Sequence, residues 1–472
     1  MPVQPSFLAH AYDSDGAASI GKSSRFLNGP TGSLVCNGSF RYPKVMRHTG
    51  TSNHDPQALP QAFLCRLRSA CLIVCLCLLA YGSVQAAAKK GVTKPPPTPA
   101  ATPAPDALKI AFLHPASTPS LTQPPFFIAE DRSGGMQGAR LGTQDNNTTG
   151  QFTRQHFELL EAEITDDVAP AEKARQMLAQ GFRHLIVNLP ADAIKAIAAL
   201  PEAQNALIYN IGSSDDELRG VACSPNLLHL LPSRAMRADA LAQYLSKKRW
   251  QKLLLAVGPE AADQAYAAAV RRAAARFGLK IVAERPWQHT FDERRTPESE
   301  IPVFTQGVEY DILVVADESG AFGDLLSYRT WLSRPVAGTQ GLMPVGWHYT
   351  HEQWGAIQLQ NRFKDLTGVW MSEVDYAAWL AVRAIGEAAT RTKTMQFEPI
   401  RGFLRGPELS LAGFKGVPLS FRPWDGQLRQ PVLLAAAHSL IAVSPIEGFL
   451  HPKTELDTLG YDQPESQCHL AP

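Results

Sequence analysis

Apolar residues recur along this chain in two alternating patterns from residue 108 onward. Short runs of four to eight, such as Lys109–Leu113, Phe157–Ile164, His184–Val187, Ala206–Tyr209, Lys252–Val257, Lys280–Ala283 and Glu309–Val315, read as strands. Between them lie stretches with apolar positions three and four apart: Gly134–Asn147, Ala169–Gln180, Ala191–Leu200, Arg234–Lys247 and the Ala-rich Ala261–Phe277. Gly181 and Gly278 stop two of these helices. Each strand–helix step takes about 25 to 30 residues, the rhythm of a parallel sheet covered on both faces. The rhythm restarts after residue 231, so the pattern predicts two doubly wound α/β halves. A long helix is expected over Val374–Arg391. Near the end, Trp424-Asp425-Gly426-Gln427 separates Gly416–Phe421 from Arg429–Ala437, an Asp-Gly hairpin signal and an antiparallel finish.

The first hundred residues follow another rule. Leu72–Tyr81 is apolar and uncharged, follows Arg66 and Arg68, and ends at Ser83-Val84-Gln85-Ala86. The run is too short for a permanent membrane helix, which needs about 20 apolar residues. It has the parts of a cleavable secretory signal, with small residues before the cut after Ala86. Residues 1–86 are therefore expected to be an extension plus signal. A start at Met46 and a long cytosolic extension are alternative explanations of what precedes the signal. Cys71 just before the apolar run and Cys75 and Cys77 inside it lie outside any lipoprotein box, so no stable membrane anchor is expected. Residues 87–106, with Thr93-Lys94-Pro95-Pro96-Pro97-Thr98-Pro99, form an extended Pro-rich spacer. Expected boundaries are 107–231 for the first lobe, 232–345 for the second, 346–428 for the return to the first, and 429–472 for the second lobe's return and tail.

Charge changes the picture by exclusion. There are 45 Lys and Arg against 44 Asp and Glu, with no basic stripe, so nucleic acid is not an expected partner. Five of seven cysteines, Cys36, Cys65, Cys71, Cys75 and Cys77, fall in or before the signal. Cys223 and Cys468 remain, and in an oxidising compartment two cysteines read as one disulfide, against two free thiols. No Cys/His zinc spacing, phosphate loop, G-x-G-x-x-G or G-x-S-x-G elbow occurs, so neither an enzyme nor a cofactor is expected.

Ligands of open α/β sheets sit beyond the carboxyl ends of the strands. That singles out His114 and Pro115, Asn188 and Leu189, then Gly212, Ser213 and Ser214 in the first half. The second half offers Gly258, Pro259 and Glu260, then Asp317 and Glu318. Asp317 and Glu318 read either as a clamp for a cation or ammonium, including a metal, or as acids at a helix N-terminus. Asp215-Asp216-Glu217 carries the same two readings. Trp347, Tyr349, Trp354 and Trp370 form either a ligand wall or hinge packing, and His348 and His351 are three apart.

Ordered segments carry a family resemblance. Gly138-Ala139-Arg140-Leu141-Gly142-Thr143-Gln144-Asp145-Asn146, Ala171–Gly181 with His184–Asn188, Tyr209–Leu218, Leu231–Ala235 and Tyr376–Ala389 follow one another as in a known type. The chain resembles the periplasmic solute-binding proteins of ABC importers, of the branched-chain amino-acid-binding type with the type I two-lobe fold. The resemblance implies a monomeric, non-enzymatic carrier that closes on a small-molecule or metal-complex ligand and meets permease and ATPase subunits. In that family hydroxyl residues and backbone N–H groups hold the α-carboxylate, a role open to Ser213 and Ser214. Asn188-Leu189-Pro190-Ala191-Asp192 departs from the family's Ser/Thr-rich turn, and Pro190 has no N–H to give. A narrower resemblance lies in Pro232–Met236, Asp425–Pro431 and Leu456–Gly460 with Gln467-Cys468, which look like a subfamily accompanying pyrroloquinoline-quinone-dependent alcohol dehydrogenases. It leaves open a second role, a calcium- or lanthanide-binding or -sensing accessory of such a dehydrogenase without transport.

Overall fold

The computed structural model describes residues 107–115, 133–165, 168–287, 297–327, 329–468 and 470. The expected signal and spacer, and Cys36 to Cys77, lie outside the described residues.

Two parallel sheets organise the chain. The first has the order β2-β1-β3-β4-β5, formed by β1 (Leu108–Pro115), β2 (Phe157–Ile164), β3 (His184–Val187), β4 (Leu207–Asn210) and β5 (Leu227–His229). Its helices are α1 (Met136–Thr153), α2 (Pro170–Ala179) and α3 (Ala191–Ala198). After β5 the chain crosses into α4 (Arg234–Lys248), β6 (Lys252–Val257), α5 (Ala261–Arg276), β7 (Lys280–Pro286), α6 (Pro297–Thr305), β8 (Ile312–Ala316), the short α7 (Gly323–Leu326) and β9 (Val336–Gly338). This second sheet has the order β7-β6-β8-β9 and is also parallel. The inner strands β3, β4, β6 and β8 are buried almost throughout because each sheet is covered twice, whereas β2 and β7 at the edges carry exposed charges. Ile110, Phe112 and Ile186 point into one cluster and Ala111, Leu113 and Leu185 into the opposite one. Leu253, Leu255 and Val314 likewise oppose Leu254, Ala256 and Leu313 in the second sheet.

The remaining chain is shared between the two sheets. β10 (Met343–Val345) precedes α8 (Ala356–Thr367), α9 (Glu373–Thr392) and α10 (Phe397–Arg405). Residues of α8 to α10 join the first-sheet core, where α9 lies against α1. Strands β11 (Leu411–Ala412), β12 (Pro418–Phe421) and β13 (Leu428–Arg429) follow, and the Asp425-Gly426 turn closes the β12–β13 hairpin with Gly426 at φ +71°. The Asp-Gly signal was therefore read correctly. Last come β14 (Val432–Ala436) and β15 (Ser439–Ser444), antiparallel beside β10 and packed on α4. Cys223 and Cys468 are joined by a disulfide with Cα atoms 5.8 Å apart, tying the tail to the loop before β5. Among the described residues no helix is long and apolar enough to cross a membrane.

One core histidine gives the fold a pH signature. His184, in β3, is buried and bonded to the Tyr209 hydroxyl at 2.9 Å, and burial lowers its pKa from 6.5 to about 3. Below pH 6.5 the unfolded chain takes up a proton there that the folded chain refuses, so stability falls as pH drops through that window. Between pH 6.5 and 5 this one group should cost about 2 kcal/mol. Urea titrations at pH 7.5 and 5 should show the loss, and His184→Gln should shrink it; an unchanged pH slope in the variant would remove His184 as the source.

Candidate functional site

The carboxyl ends of both sheets meet at a cavity of about 630 Å³. From the first sheet come Pro190 and Ala191 at the start of α3 and Gly212 to Asp215 after β4. From the second come Arg234 and Arg237 of α4, Tyr266 of α5, the turn Asp317–Gly320 after β8, and the loop after β9. The main chain around Gly212 is tight: Asn210 Oδ1 accepts from the N–H of Gly212 and Ser213. A Cβ on Gly212 would lie 2.4 Å from the Leu189 nitrogen, so only glycine fits there.

Arg234 bridges the two sides. Its Nε and Nη2 donate to the two Glu318 oxygens at 2.8 and 2.7 Å, and Nη1 faces an Asp215 oxygen at 3.1 Å. Burial works against its charge, but the two carboxylates outweigh burial and raise its pKa. Arg237, one turn on, donates from Nη2 to both Glu373 oxygens at 2.9 Å and from Nη1 to the Pro344 carbonyl at 2.9 Å. Tyr266 is 2% exposed, and its hydroxyl has no hydrogen-bond partner.

Comparison with known proteins now places the architecture. A model of a periplasmic binding protein family matches residues 107–291. A periplasmic binding protein of Burkholderia mallei superposes at 16% identity and TM-score 0.56, covering 78% of this chain and 100% of its own. A branched-chain amino acid ABC transporter periplasmic ligand-binding protein of Burkholderia xenovorans gives 13% identity, TM-score 0.61, and 76% and 99% coverage. A branched-chain amino acid transporter substrate-binding protein of Streptococcus pneumoniae, in complex with isoleucine, gives 15%, 0.52, and 72% and 99%. The chain has the type I periplasmic-binding fold. No curated protein matches its sequence.

In this fold the cleft between lobes is the cavity just described, and the expected residues divide around it. Gly212, Ser213, Ser214, Asp317 and Glu318 line it. His114, Pro115, Asn188, Leu189, Gly258 and Glu260 do not. Asn188 turns away to donate to the Gly134 carbonyl at 3.0 Å, and Leu189 sinks into the core at 4% exposure. His114 Nδ1 lies 2.9 Å from the Pro115 carbonyl. Gly258 packs on Asp263, whose Oδ2 would sit 2.1 Å from an added Cβ, while Glu260 is the exposed N-cap of α5.

The cation clamp expected at Asp317 and Glu318 needs correcting. Asp317 is 1% exposed and accepts from the Ser319 hydroxyl at 2.8 Å and the N–H groups of Ala321, Phe322 and Gly323 at 3.0, 2.8 and 2.6 Å. Burial pushes its pKa up, but those donors outweigh it and hold the carboxyl below the usual range. It organises its own turn, and Glu318 is committed to Arg234. Asp215 and Asp216 behave similarly: Asp215 caps Glu217 at 3.1 Å, and Asp216 accepts from the Ala235 N–H at 3.1 Å. No group of three His, Cys, Asp or Glu among the described residues is placed to hold a metal.

The aromatic cluster packs elsewhere. Trp347 stacks on Tyr376 with ring centres 4.1 Å apart, Tyr349 lies 5.5 Å from Trp370, and none of the four lines the cleft. His351 Nε2 lies 2.8 Å from the Phe414 carbonyl and His348 Nδ1 2.7 Å from the Thr350 hydroxyl, so the two do not act as a pair. Sequence reasoning missed Arg237 and Tyr266 and gave Arg234 no site role. A signal existed for the arginines. Two cations in the first turn of α4 oppose the helix dipole, which favours acids there, and such a placement needs another reason.

Proposed function

We propose that the chain is the periplasmic substrate-binding component of an ABC importer, delivering a small solute by closure of its two lobes. The observation that carries this reading is the cleft itself, walled by residues of both lobes at the carboxyl ends of both sheets. Lobe closure around such a site buries the solute and changes the surface offered to a permease. The family match over 107–291 and the fold of the three compared proteins support the same role. No catalytic step is part of it. The signal-like segment at Leu72–Ala86 supports delivery to the periplasm.

The resemblance to the subfamily that accompanies quinoprotein alcohol dehydrogenases supports a place beside periplasmic alcohol oxidation. Its segments converge in space, where Arg429 donates to Asp457 and Gly460 lies against Met236. Those contacts sit outside the cleft, so they fix the frame and leave the solute open. The alternative role, a lanthanide or calcium accessory, is disfavoured by the commitment of the cleft carboxylates to protein donors.

A thermal-shift screen with X-ray scattering tests this. The panel holds branched-chain amino acids, short alcohols and acids, pyrroloquinoline quinone, calcium and a lanthanide. A solute that binds only the folded protein raises Tm by mass action, and closure shrinks the radius of gyration. A rise with a metal ion alone would favour the accessory role; no shift with any solute would sink the carrier reading.

A further inference from the structure

The cleft's acceptors are already in use. Both oxygens of Glu318 face Arg234; behind the lining, both oxygens of Glu373 face Arg237. Asp317 holds four donors of its own turn, and Asp215 is shared between Arg234 and the Glu217 N–H. An α-ammonium entering here would have to share Glu318 or Asp215 with Arg234, whose side chain is only 10% exposed, which sets two cations against one another at short range.

The donors are in the opposite state. The Tyr266 hydroxyl is buried beside the cavity with no partner, which is costly unless a ligand supplies an acceptor. The Ser214 oxygen sits at 3.5 Å from Arg237 Nη2, leaving its own O–H to donate. Pro190, Met343 and Val345 add an apolar wall. We propose that the cleft selects a small aliphatic carboxylate or 2-oxo acid carrying no α-ammonium, with the Tyr266 hydroxyl among its carboxylate donors. An ammonium-free acid needs only donors, and each arginine keeps its present partner.

The inference rests on the carrier reading of the same cleft, and the test separates the two. Calorimetry on the full chain would compare leucine, 4-methyl-2-oxopentanoate, 4-methylpentanoate and 3-methylbutylamine, which share one branched skeleton. The oxo acid and the plain acid should bind at least ten-fold more tightly than leucine, and the amine should not bind. Tyr266→Phe should weaken the acids about ten-fold without lowering the ligand-free Tm, because the hydroxyl lost has no partner in the protein. Leucine binding as tightly as the acids, or any binding of the amine, overturns the inference and leaves the carrier standing. Unchanged acid affinity in Tyr266→Phe overturns the role of the hydroxyl. Failure of both acids overturns the inference, and the wider solute panel then decides the carrier reading.

Discussion

Replacing Gly138 with alanine is expected to destabilise the protein by about 3–5 kcal/mol, although alanine is the better helix former. Gly138 sits in the first turn of α1, where α9 crosses so closely that an added Cβ would lie 1.9 Å from the Asp375 carbonyl oxygen and 2.7 Å from its Cα. Those atoms are backbone and cannot swing aside. Gly142, one turn on, meets Val382 in the same way, its Cβ position 3.0 Å from that side chain. The close approach does more than fill space. The Asp375 carboxylate accepts from the Gly138 N–H at 3.4 Å while Ser372 and Asp375 cap α9, so one residue serves the starts of two helices. Moving the helices apart by the needed ångström or more would break that contact and loosen the largest apolar cluster of the first lobe. Gly402 supplies the control. It lies exposed within α10 with nothing within 4 Å of its Cβ position, so Gly402→Ala should stabilise by up to about 1 kcal/mol. Urea unfolding of both variants checks the pair; equal effects of the same sign would refute the steric account.

The contrast between these two glycines also explains what could be read from the chain. Gly138 and Gly142 lie in the family-like segment Gly138–Asn146, and the helical spacing over Gly134–Asn147 located α1, which runs on to Thr153. Strands such as His184–Val187 and Lys252–Val257 were legible because a sheet covered on both faces demands an unbroken apolar run, a local property. Strands β5, β9 and β10 have three residues each, too short to carry any period. Ser213 and Ser214 were found because a cleft position follows directly from the end of the strand before them. Asp317 and Glu318 line the cleft that the strand end before them predicts, but their carboxylates are held by protein donors. The partner of Glu318 is Arg234, 84 residues away, and no local pattern announces that pairing. Tyr266 was missed because a tyrosine on the buried stripe of an Ala-rich helix looks like core until its hydroxyl proves to have no partner.

Long-range pairing also sets the last expected result: Asp457→Ala should cost about 3–5 kcal/mol. Asp457 is 3% exposed, and one of its oxygens accepts from Arg422 Nε and Arg429 Nε, both at 2.8 Å. The Arg422 side chain is 1% exposed and that of Arg429 13%. The guanidinium groups lie 5.3 and 5.2 Å from the Trp424 ring centre, so truncating the acid leaves Arg429 without a carboxylate and Arg422 with only Asp425, 3.8 Å away, in a buried site. Asp457→Asn should cost less, because the amide oxygen still accepts one donor. The sign of the effect follows from uncompensated charge rather than from a large net gain of the pair, and a third variant separates the two. Changing Arg422 and Arg429 to Met together with Asp457→Leu and Asp425→Asn, the buried acid 3.8 Å from Arg422, removes every charge of the contact and should recover part of the loss. Recovery cannot be complete, since Arg422 Nη2 also donates to the Leu459 carbonyl at 2.7 Å and that acceptor would be left buried and unpaired. If that fourfold variant unfolds at lower urea than Asp457→Ala alone, the cost lies in lost attraction and packing, and the charge-burial account of this contact between the β12–β13 hairpin and the C-terminal tail is wrong.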